Sequence, residues 1–156
     1  MSKFRNIVRV ILGTLLVLII ALGDASSQTR DSVAYSGDDL HYLGYVMLTG
    51  DTSAWVNIKA DDIYYFSSSV YFRDAKNLVY IKNDDLYFLG QALISGNIKD
   101  LEKIVVDDFY YLGMAMFEKT DSYLDNVQSD DVYYLGKGLV LKEMNYLDQI
   151  STTTQR

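Results

Sequence analysis

Ten of the 21 acidic residues stand as adjacent pairs: Asp38-Asp39, Asp61-Asp62, Asp84-Asp85, Asp107-Asp108 and Asp130-Asp131. Rows of paired carboxylates invite one kind of chemistry. Carboxylates from neighbouring segments can share Ca²⁺, a hard cation that takes about six to eight oxygen ligands. The bound charge would also relieve their mutual repulsion. The rival role is scaffolding: one Asp of each pair caps a turn or a helix start through backbone N–H groups, and the other is solvated. The chain has neither an EF-hand loop nor a Gly-rich calcium nonapeptide.

The residues after each pair form a second candidate. Tyr64, Tyr87, Tyr110 and Tyr133 occupy equivalent places, and each is followed by another aromatic residue. An exposed tyrosine ladder can stack on sugar rings or anchor a protein partner; a buried one simply packs the core. His41, the single histidine, falls in the same column and stands in for a tyrosine. A general base or metal ligand there would need partners that no nearby residue supplies. Trp55 fills a leucine column and is expected in the core. Ser67, Ser68 and Ser69 have the look of a turn, with no His or Lys spaced to activate a nucleophile. No phosphate loop, dinucleotide fingerprint or zinc pattern occurs. The expectation is therefore a protein without catalytic residues or a cofactor.

These residues are positioned by a repeat. The Asp pairs begin at 38, 61, 84, 107 and 130, a constant period of 23 residues, which marks a repeat array. Residues 38–152 hold five such units, and the columns are consistent. The third place is Leu40, Ile63, Leu86, Phe109 or Val132; the seventh is Gly44, Ser67, Gly90, Gly113 or Gly136. The tenth is Met47, Val70, Leu93, Met116 or Leu139, and the eighteenth is Trp55 or Leu78, Leu101, Leu124, Leu147. No unit can bury its apolar face alone, so the units must stack.

Two unit structures fit. An apolar residue followed by two aromatics has strand composition, and the Gly column then places a tight turn. In this mainly β reading each unit is a β-hairpin followed by a helical turn capped by Asp51, Asp74 or Asn97. The alternative is an all-α solenoid of short helix pairs, with Asp-Asp at a helix N-terminus and Gly50 or Gly96 at its end. Paired aromatics and an interior Gly weigh against helices, Gly costing ~1 kcal/mol relative to Ala. The β-hairpin array is the expected fold.

The joint spacing of Tyr42, Gly44, Met47, Asp51, Trp55 and Ile58 resembles the bacterial DKNYY repeat family. Unit four matches through Tyr111, Gly113, Met116, Leu124 and Val127, with Thr120 in the Asp place. A weaker likeness is to tetratricopeptide or Sel1-like helical repeats. The DKNYY resemblance implies an exported or envelope-associated bacterial protein with no known catalytic activity, and it supplies no active-site residues.

The N-terminus agrees with export. Lys3, Arg5 and Arg9 precede an uncharged apolar run from Val10 to Leu22, then Gly23-Asp24-Ala25. This is the pattern of a secretory signal peptide over residues 1–23. An uncleaved inner-membrane anchor over residues 10–22 is the alternative, although the run is short of the ~20 residues a spanning helix needs. Residues 24–37 read as a polar leader and N-terminal cap, and 153–156 as a polar tail. The chain has a net charge of -7, and loss of residues 1–23 makes it more acidic. Nucleic acid is excluded as a partner on charge; the expected partner is a protein or a glycan. Self-association through open ends of the stack is a further expectation. There is no Cys and hence no disulfide.

Overall fold

The computed structural model describes residues 35–152 and contains no β-strand among them. Each unit is an α-helix followed by a 3₁₀ helix, so the mainly β-hairpin expectation is overturned and the all-α alternative holds. The α-helices are α1 (Gly37–Thr49), α2 (Asp61–Phe72), α3 (Asp84–Ser95), α4 (Asp107–Glu118) and α5 (Asp130–Leu141). The 3₁₀ helices are η1 (Thr52–Asn57), η2 (Ala75–Tyr80), η3 (Ile98–Lys103), η4 (Asp121–Asn126) and η5 (Met144–Gln149). The expected signal peptide over residues 1–23, the leader up to residue 34 and the last four residues lie outside the described residues.

The physical reason for the correction lies in the Gly column. A Cβ on Gly90 would stand 2.6 Å from Leu78 Cδ2, and one on Gly136 would stand 2.6 Å from Leu124 Cδ2. These glycines do not turn the chain. They sit in mid-helix and let the leucine of the preceding unit press onto the helix backbone. Burying that leucine fully contributes roughly 1.5–3 kcal/mol, more than the ~1 kcal/mol that a helical Gly costs. The same packing corrects the reading of Ser67, Ser68 and Ser69, which are buried inside α2 and form no turn.

Each unit has defined ends. The Asp pairs occupy the first turn of their helices, where negative charge complements the helix dipole. Ser36, Asn83 and Ser129 cap α1, α3 and α5 through side-chain oxygens. The C-caps are left-handed: Gly50 and Gly96, but also Arg73, Lys119 and Lys142 at φ 53°, 56° and 59°. Asp51, Asp74, Asn97 and Thr120 then accept a backbone N–H to start the 3₁₀ helices.

The array closes on itself. Every α-helix packs against the next, and α1 packs in the same way against α5 and η5. The eighteenth-place residue of each unit meets the seventh-place residue of the following one: Leu78 with Gly90, Leu101 with Gly113, Leu124 with Gly136 and, across the closure, Leu147 with Gly44. The closure is also held by His41, whose Nδ1 lies 3.1 Å from the Leu147 carbonyl oxygen. The result is a five-unit ring in which the first and last units pack together. The α-helices line the ring and the 3₁₀ helices buttress its seams. The core is built from the third, sixth, eighteenth and twenty-first places, among them Ile63, Leu89, Leu101, Leu124 and Ile150, all fully buried.

Candidate functional site

The second Asp of each pair has a structural partner. Asp39 accepts from the backbone N–H groups of Lys59 and Ala60. Asp62 accepts from Lys82 and Asn83 at 2.9 and 3.1 Å, and Asp85 from Val105 and Val106 at 2.8 and 3.1 Å. Asp108 accepts from Gln128 and Ser129 at 2.8 and 3.1 Å, and Asp131 from Ser151 at 2.9 Å. Each carboxylate thus latches the chain 20 or 21 residues on, for the first four where the chain enters the next helix. The first Asp of each pair lies nearer solvent: Asp61, Asp84, Asp107 and Asp130 are exposed and Asp38 is half-buried. Among the described residues no three acidic or histidine side chains are grouped to hold a metal ion.

The tyrosine column is only partly covered: Tyr87, Tyr110 and Tyr133 pack against the core. Tyr64 is exposed, while Tyr87, Tyr110 and Tyr133 are half-buried. Each stands edge-on to the aromatic residue that follows it, with ring centroids 5.3–5.4 Å apart. Among the described residues three of these pairs meet no further ring. The pair in unit two does, and it grows into a chain of six rings.

That chain starts at the one seam where the Leu–Gly pairing is replaced. Ser67 stands in the glycine place and Trp55 in the leucine place. The larger indole does not enter the core, where Ala54 is buried instead; Trp55 lies half-buried at the surface and donates its Nε1–H to Ser67 Oγ at 2.8 Å. This corrects the expectation that Trp55 is a core residue. Around it stand Tyr64, Tyr71 and Phe72, at centroid distances of 6.0, 5.8 and 5.6 Å. Tyr65 continues the chain from Tyr64 and meets Tyr80 at 5.1 Å. Phe72 is 62% exposed and Tyr80 58%, and the same units expose Val56 and Val79. A monomeric surface normally scatters such residues singly.

The two mouths of the ring differ. At the N-terminal ends of the helices, Tyr35 packs on Phe109 at 6.0 Å between rings. Burial first, and then the nearby Asp62 carboxylate, push its hydroxyl well above the ordinary tyrosine range. At the C-terminal ends there is a cavity of about 450 Å³, lined by Met47, Val70, Leu93 and Met116 with Tyr71, Phe117, Arg73 and Lys119 around them. The tenth place is an apolar column in the sequence; in four of the units its residues wall this cavity. They come from four different units, so nothing local in the sequence marks the site.

No family model, curated protein or solved structure matches this chain. No helix among the described residues is long and apolar enough to cross a membrane.

Proposed function

We propose that this chain is a non-catalytic interaction module of the bacterial envelope, and that it engages a protein partner through the aromatic surface of units one and two. The observation that carries this reading is the exposed ring chain from Phe72 through Trp55 and Tyr64 to Tyr80. It lies at the single seam that departs from the repeat. Aromatic residues grouped on an otherwise polar surface are the usual anchors of protein interfaces. Support for export comes from the charged, apolar and small-residue pattern of residues 1–25, and from the resemblance to DKNYY repeats. The second carboxylate of each Asp pair is taken up in holding the ring, which favours scaffold over chemistry.

The test is site-specific photo-crosslinking in intact cells. A crosslinker at position 72 or 80 should yield one discrete protein adduct in the envelope fraction, and the same group at Glu102 or Asp125 should yield none. Equal labelling at all four positions, or retention of the purified chain on a glycan array that Phe72→Ser abolishes, would overturn the protein-partner reading.

A further inference from the structure

The cavity at the helix C-terminal mouth is a separate feature from the aromatic seam and rests on different residues. Its volume of about 450 Å³ falls in the range of small-molecule sites, roughly 300–1,000 Å³. Four equivalent apolar side chains, Met47, Val70, Leu93 and Met116, converge on it from four units. The two methionines give adaptable walls that accept flexible apolar chains. The rim is cationic. Arg73 and Lys119 line the cavity, and neither makes an ion pair among the described residues. Both are held in the left-handed C-cap conformation, at φ 53° and 56°, so their backbone positions are fixed where α2 and α4 end.

We propose that this mouth binds a small amphipathic anion: an apolar chain seated among Met47, Val70, Leu93 and Met116, with a carboxylate held by Arg73 and Lys119. The charge preference has a physical basis. Backbone N–H groups at the C-caps already engage carbonyls of the last turns, with Gly50 bonding Val46, Gly96 bonding Ala92 and Lys119 bonding Ala115. The negative helix ends that remain disfavour an anion, and the two cations offset them on their own side of the mouth. An anionic head is therefore placed beside Arg73 and Lys119, which line the cavity. The apolar chain points away from them into the ring. A partly exposed ion pair of this kind is screened by salt, so binding should weaken as ionic strength rises.

The test is calorimetric titration of the full chain with decanoate, decanol and decyltrimethylammonium, each below its micelle-forming concentration. Decanoate should bind saturably at one site per chain and more tightly than the other two. Arg73→Gln and Lys119→Gln should each weaken it about tenfold, as expected for loss of a charge-assisted bond, with an unchanged circular dichroism spectrum. Met116→Trp should fill the cavity and remove binding with both charges intact. Tyr80→Ser alters the aromatic seam and should leave decanoate binding unchanged, which keeps this result distinct from that of the partner experiment. Absence of saturable binding, equal affinity for the three ligands, or indifference to both charge substitutions would each overturn the proposal.

Discussion

The Trp55 indole donates a hydrogen bond to the Ser67 hydroxyl at 2.8 Å, and this pair occupies the place that Leu–Gly contacts fill at the other four seams. Two substitutions that look unrelated in sequence are one structural event. The serine side chain leaves no room for a leucine on the helix backbone, and the tryptophan lies outside and bonds to it. Changing only Ser67 to Gly strands the indole N–H and leaves a gap beside it, at a cost of about 1–3 kcal/mol. The double change Trp55→Leu with Ser67→Gly restores the contact used elsewhere. Urea unfolding should show the double variant to be more stable than either single one, with a coupling of about 0.5–3 kcal/mol. Simple additivity would show that the two residues act independently.

The Asp pairs predict a contrast between neighbours. Asp85 accepts two backbone N–H groups on its two oxygens and is buried, whereas Asp84 is exposed. Asp85→Asn keeps one acceptor and turns an NH₂ group toward a backbone donor, so it should cost about 1–3 kcal/mol. Asp84→Asn removes only a first-turn charge, worth about 0.3–1 kcal/mol. Chemical denaturation of the two variants measures the difference. Equal losses would mean that the latch to Val105 and Val106 contributes nothing.

Much of the ring was legible in the period. The apolar third and eighteenth places, the Asp caps and the left-handed glycines follow from residue type and spacing. Helix against strand was not legible, because Tyr64-Tyr65 and the Gly column carry local preferences against a helix. Tertiary packing overrides them: Leu78 needs the bare backbone at Gly90, and the two residues belong to different units and different helices. Closure was invisible for the same reason. Nothing near Gly44 says that its neighbour is Leu147, and nothing near Met47 says that Met116 faces the same cavity. Of the candidate site residues, the second carboxylates proved to be joints of the frame, while the cavity wall had shown in the sequence only as an apolar column.

The Lys137–Asp121 ion pair joins α5 to η4 at 2.7 Å, and it should leave a titration signature. The Lys137 hydrogen bond, and then its charge, hold the Asp121 carboxyl below its usual value. The Asp121 bond raises Lys137 in turn. A depressed acid contributes stability above its ordinary pKa and loses it as pH falls through the folded value. A raised base contributes below its ordinary pKa and loses it as pH rises through the folded value. The pair is therefore intact at neutral pH and weakened at both extremes. Carboxyl carbon NMR should place the Asp121 midpoint below the normal Asp range, and Lys137→Met should return it upward. A midpoint unmoved by that substitution would remove the pair as its cause.

Ring closure makes the most demanding prediction. The two ends meet so closely that a Cβ on Gly37 would collide with the Ser151 carbonyl oxygen, and Asp131 receives the Ser151 N–H as other second Asp residues receive theirs. In the 23-residue register Thr152 stands where Ser129 stands one seam earlier, directly before an Asp pair. Joining Thr152 to Asp38 therefore needs no linker. New termini can be cut between Gly96 and Asn97, which are both exposed and separate a helix from its 3₁₀ partner. This circular permutant should be monomeric, retain the helical circular dichroism signal and unfold in one cooperative transition. An open array cut in this way would split unit three and leave two fragments without their neighbours, giving early, multi-step melting. Only a chain whose first and last units already pack together can exchange one break for another.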